Sequence, residues 1–187
     1  MIFDFEAVRN RCAPSKWTRS LPCRSRTALP FDAAAVPKGA TILLDTTVYI
    51  DQLKGDLPPP IIELIATRLV HHGAPALAEL AAAIGYLDPL DSRTAANLEP
   101  IIETLARVPP QRILVPSDNV WIEASILAGI LARTQGVAKA DRRRLLNDVL
   151  LFLTAAETGA ILISRNSKDL DLLLQMKPGV GVLLYIR

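Results

Sequence analysis

Four acidic residues of this chain stand where a fold could bring carboxylates to one edge. Asp45 ends the apolar run Thr41-Ile42-Leu43-Leu44, and such a run reads as a buried parallel strand whose tip carries an acid. Thr46 and Thr47 then offer hydroxyls as the chain turns into a short helix, Val48 to Lys54, stopped by Gly55. Glu79 opens a helix directly after Ala74 to Ala78, read as a second short strand. Asp148 lies inside an apolar helix, on one stripe with Leu145, Phe152 and Ala155. Burying a charge there without a partner is very costly, so Asp148 needs either Arg144, four residues earlier, or a cation. The run Ala160 to Ser164 exits into Ser164, Arg165, Asn166 and Asp169, a hydroxyl, an amide and a carboxylate at another strand end. Taken singly, Asp45 and Asp169 are ordinary helix caps and Glu79 an ordinary helix amino-terminal charge. Asp171 lacks the strand-exit placement and is assigned to solvated surface.

Oxygen acids without histidine or cysteine companions select a hard cation, Mg²⁺ or Mn²⁺. A cation so held activates water and shields a phosphate during in-line displacement. Without it, the converging acids repel one another, and at least one should have a raised pKa. Other chemistries lack their residues. His71 and His72, the only histidines, are adjacent near a helix end, where neighbouring side chains diverge. There is no glycine-rich phosphate loop and no Gly-x-Ser-x-Gly elbow. Thr47 stands where an Asp-x-Asp phosphatase would need its second acid.

The elements that must position these acids follow from length and pattern. At 187 residues, half of them apolar, one domain with an added arm is the default. Strands at about 41–45, 74–78, 112–116, 160–164 and 182–186 alternate with helices. These include 61–71, 95–107, 118–134, 139–158 and 168–175. That order predicts an α/β fold, a three-layer α/β/α sandwich around a mainly parallel sheet of about five strands. Residues 1–38 are interrupted by Pro14, Pro22, Pro30 and Pro37 and read as a basic, solvated arm, with 39–187 as the domain. Residues 9–26 carry six basic side chains and no acid while the chain sums to +2, leaving −4 for the remainder. Any polyanion must therefore be met by local basic groups or bound cations rather than by bulk charge. Lys139, Arg142, Arg143, Arg144 and Arg165 are the candidates. No apolar run is long enough to span a membrane, and no secretory signal opens the chain. Cys12 and Cys23 suit a reduced, cytoplasmic setting.

The order Leu-Leu-Asp45-Thr-Thr, Ala-Glu79-Leu, Asn-Asp148 and Leu-Ile-Ser164-Arg-Asn166-Ser-Lys-Asp169 resembles the PIN-domain family. More narrowly it is similar to the VapC-type ribonuclease toxins of bacterial toxin–antitoxin pairs, over about Ala40 to Arg187. The resemblance implies a metal-dependent endoribonuclease with Asp45, Glu79 and Asp148 as metal carboxylates and the Asn166/Asp169 segment completing the site. Thr46, Ser164, Arg165 and Asn166 would then face the RNA substrate. An antitoxin that blocks the site and a homodimer are the implied partners. The alternative is a PIN-like protein that binds RNA or a partner without cutting. Two departures stand out: Asn166 occupies the position usually held by the fourth acid, and Leu170 stands where a phenylalanine is common.

Overall fold

The computed structural model describes residues 4–187. Its strands are β1 (Thr41–Leu44), β2 (Leu69–Gly73), β3 (Ile113–Leu114), β4 (Ile161–Ser164) and β5 (Val182–Leu184). They form one all-parallel sheet in the order β3-β2-β1-β4-β5. The helices are α1 (Phe5–Cys12), α2 (Thr46–Lys54), α3 (Pro59–Thr67), α4 (Ala74–Tyr86), α5 (Thr94–Ala106), α6 (Asp118–Thr134), α7 (Arg142–Thr158) and α8 (Ser167–Met176). Right-handed crossovers place α2 to α5 on one face of the sheet and α6 to α8 on the other. This is the expected α/β/α sandwich. The strand order reverses at β1, with β2 on one side and β4 on the other, so the crevice beyond the β1 and β4 tips is the topological switch point.

The core gathers on α7. Val149, Leu150, Leu151, Phe152 and Leu153 are all buried, and a helix apolar around most of its girth must be covered on several sides. Gly73 permits part of that cover, because a Cβ there would stand 2.3 Å from Leu151 Cδ2. A side chain at the end of β2 would force Leu151 to shift.

The second strand lies earlier than its sequence pattern indicates. Residues 74–78 are the start of α4, with Pro75 in its first turn, where proline's missing N–H costs nothing. The strand is Leu69–Gly73, and Val70, His71 and His72 pair with Ile42, Leu43 and Leu44. Two histidines in a five-residue strand hide its β character. Tyr49, buried beside β2, compensates for one of them by sharing a 2.6 Å hydrogen bond with His72 Nδ1.

The amino-terminal segment is not a solvated extension. Its helix α1 lies against α6 and buries Val8 and Cys12, four residues apart on one helical face. Further on, the Arg24 backbone N–H and Nε donate to the two oxygens of Asp171 at 2.7 and 2.5 Å. Pro30 then accepts a 2.7 Å bond from Leu184 N, covering the outer edge of β5. Asp171 is accordingly 1% exposed, not surface. Its contact with Arg24 crosses 147 positions, a distance no local pattern encodes.

Candidate active site

Asp45 leaves β1 as the N-cap of α2, so its backbone is fixed by strand and helix together. Its Oδ1 accepts from Thr46 N at 2.7 Å. Its Oδ2 accepts from the hydroxyls of Thr47 at 2.7 Å and Ser164 at 2.5 Å. Ser164, the last residue of β4, thus spans the switch point, and its Oγ also accepts from Asn166 N at 2.9 Å. Thr47 Oγ1 accepts from Arg165 N at 3.1 Å. The helix-cap reading of Asp45 and its place in a site are therefore one arrangement, since the cap aims the carboxylate.

Asn166 organises the other half. As N-cap of α8 it accepts from Asp169 N. Its Nδ2 donates to Asp148 Oδ2 at 3.0 Å and to Asp169 Oδ2 at 2.9 Å, bridging two like charges with one amide. Glu79, in the second turn of α4, accepts from Thr46 Oγ1 at 2.7 Å. The acids and hydroxyls border a cleft of about 370 Å³ shared by Asp45, Thr46, Glu79, Asp148 and Asn166, with Arg144 at its rim.

The electrostatics are one-sided. Asp148 is buried at 8% exposure. Burial first, then the charges of Asp45 and Asp169, pushes its carboxyl up to about 8, against a smaller opposing pull from Arg144. The proposed local pair with Arg144 does not form. That guanidinium lies 3.8 Å from Asp169 and is largely exposed. Arg165, expected to face a ligand, directs its Nε to Asp51 Oδ2 at 2.8 Å. Among the described residues, no three acid, histidine or cysteine side chains close into a metal cage, and hydroxyl and amide donors engage the carboxylate oxygens. The donor set nonetheless suits a hard cation: all-oxygen, net negative, partly buried and facing a cleft. Asp45, Glu79 and Asp148 are the residues that would hold it.

The sequence reading offered the Thr47 hydroxyl at this turn without assigning it to the site, where it supports Asp45. The signal was a hydroxyl in the first turn after a strand-exit acid. The reading missed Asp51, fully buried beneath the site, where it accepts from Arg165, Arg187 and Tyr185. Burial pushes Asp51 up, and the hydrogen bonds from Arg187 and Tyr185 with the neighbouring guanidinium charges outweigh it, holding the carboxyl below its ordinary range.

No family model matches the chain, and no curated protein matches it. Solved structures do. A chain in the crystal structure of VapBC2 from Rickettsia felis, bound to a DNA fragment from the promoter, superposes at a TM-score of 0.51 with 16% identity. That match covers 78% of this chain and 99% of the other. A chain of VapBC-1 from nontypeable Haemophilus influenzae gives 0.50 with 20% identity, over 77% and 97%. The likeness is one of fold, and the fold is the one the sequence resemblance implied.

Proposed function

We propose that a chain with this VapC-like, PIN-type fold is a metal-dependent endoribonuclease, the toxin of a toxin–antitoxin pair. The observation that carries the reading is the buried, uncompensated carboxylate cluster at the switch point, with Asp148 pushed up to about 8 by burial first and then by its acidic neighbours. Strongly perturbed acids in a cleft mark functional sites more often than structural ones.

Asp45, Glu79 and Asp148 would hold one Mg²⁺ or Mn²⁺, with Asp169 in support through Asn166. When bound, the ion supplies charge stabilisation at a phosphodiester and a lowered pKa for attacking water. The chain's own residues prepare that chemistry. Ser164 and Thr47 fix the Asp45 carboxylate, and Thr46 fixes Glu79. Asn166 keeps Asp148 and Asp169 at hydrogen-bonding distance despite their repulsion. Arg144, largely exposed at the rim, is placed to contact the RNA backbone. A cognate antitoxin and a homodimer, which the sequence resemblance implies, and a cytoplasmic setting, which the free cysteines suit, belong to the same proposal. Among the described residues, no helix is long and apolar enough to cross a membrane.

The test is RNA cleavage with Mg²⁺ against EDTA. Asp45→Asn should abolish cutting, because charge on the ligating oxygens holds the ion, whereas Arg19→Ala in the amino-terminal segment should leave it intact. Full activity of Asp45→Asn would overturn the nuclease reading. RNA binding with no cleavage by the unmodified protein would favour a PIN-like binding protein.

A further inference from the structure

A second cavity, of about 510 Å³, lies next to the carboxylate cleft, and Arg144 and Asn166 border both. Its size is within the range of about 300–1,000 Å³ typical of small-molecule sites. Leu145 and Leu172, both buried, contribute apolar wall. Arg144 and the exposed Lys168 bring cations to it, offsetting the carboxylates of Asp141 and Asp169 that also border it. Gln135 lines the same cavity at the carboxyl end of α6. Its side-chain Nε2 is shut off from water without a hydrogen-bond partner. Buried amide donors are almost always paired, so one left unpaired next to a cavity has room for an acceptor, a water or a ligand atom, from outside the chain.

We infer that this cavity is a subsite for the nucleotide flanking the scissile phosphate, with Gln135 as its base-selecting residue. The inference rests on the nuclease reading. A base seated against the wall that Leu145 and Leu172 help to form turns its edge to Gln135, whose Nε2 gains an acceptor there by a change of rotamer. Amide side chains discriminate bases through such edge contacts. Lys168 and Arg144 meet the adjoining phosphates, which positions the strand without selecting sequence. The shared Arg144 and Asn166 then set the register: a base seated here places its neighbouring phosphate over Asp148 and Asp169.

The experiment combines two measurements on the full chain. The first is binding of labelled nine-nucleotide rA, rC, rG and rU in EDTA. The second is mapping of cut sites in a random RNA library with Mg²⁺. The unmodified protein should prefer one or two bases, both in binding and at one position beside the cut. Gln135→Leu should flatten that preference by roughly tenfold, and the near-isosteric Gln135→Glu should move it to bases offering a donor. Lys168→Ala should weaken all four oligonucleotides alike and lower the salt slope by about one contact. Melting curves identify any variant that fails to fold, and Gln135→Glu serves if Gln135→Leu does. Equal binding of all four oligonucleotides, or a preference unchanged in both Gln135 variants, overturns the subsite. A Gln135-dependent binding preference without cleavage leaves the subsite standing and overturns the nuclease reading. Cleavage with a preference indifferent to Gln135 does the reverse.

Discussion

Asp51 and Asp148 are buried acids on helices that flank the same switch point, and their surroundings are opposites. Asp51 receives Arg165, Arg187 and Tyr185, and its carboxyl is held low. Asp148 receives one neutral amide, faces Asp45, Asp169 and Glu79, and is pushed up to about 8. The buried acids away from the cleft repeat the first pattern. Asp171 holds Arg24 at 2.5 Å, and Glu123 holds Lys177 at 2.6 Å. The chain can supply guanidinium and ammonium partners to buried carboxylates, and among the described residues none comes closer to the cluster at the cleft than the 3.8 Å Arg144–Asp169 approach. Deficient charge confined to one place is what a cation site requires, and a uniformly acidic interior would not carry that meaning.

The comparison can be broken most forcefully at Asp51. Asp51→Asn leaves two guanidinium groups facing a neutral amide and should cost about 3 kcal/mol, towards the lower end for breaking a buried pair because both arginines are partly exposed. The denaturant midpoint should fall at unchanged slope, and an unmoved midpoint would show that the pairing contributes nothing. Arg24→Ala converts Asp171 into an acid short of its partner. The backbone N–H of residue 24 and Gln175 remain as donors, so the loss should be smaller, about 1–2 kcal/mol.

At Asp148 the sign should reverse. Asp148→Asn in EDTA near pH 8 should raise stability by at least about 1 kcal/mol, the scale of a single pKa unit. It should also erase most of the Mg²⁺-induced rise in Tm, because a ligand stabilises only through affinity for the folded state. A lower Tm for this variant in EDTA, with an unchanged response to Mg²⁺, would place Asp148 with the structural acids.

The pH dependence sharpens the contrast. For Asp148 the folded value, about 8, exceeds the unfolded one near 3.9. Its stabilising contribution is therefore complete below about pH 3.9 and is lost as pH rises towards 8. Asp51 is lowered on folding, so its contribution is present above its unfolded pKa and is lost as pH falls through the folded one. In EDTA, the advantage of Asp148→Asn over the unmodified protein should open between pH 4 and 8. The penalty of Asp51→Asn should shrink only below about pH 4. Denaturant midpoints across that range decide it, and slopes of the same sign at both positions would dissolve the comparison.

How far the sequence reached depended on the range of the contact. Helix α6 is legible end to end, because Ser117 caps it and its apolar period is interrupted only by Glu123. The exits at Asp45 and Ser164 are legible because a buried parallel strand ends abruptly in polar residues. Asp148 declared itself by sitting on an apolar stripe. The strand at 69–73 was obscured by its histidines, whose β character is realised only through partners on β1 and Tyr49. What the tertiary structure alone decided is the sorting of the acids. Asp51 and Asp171 look like surface charges until Arg187 and Arg24 arrive from 136 and 147 positions away. Arg144 looks like the partner of Asp148 until the packing turns it towards Asp169. Local pattern reports which side chains are buried and where strands end. Which buried charge is left without an opposite one depends on contacts between distant parts of the chain, and only the folded arrangement specifies them.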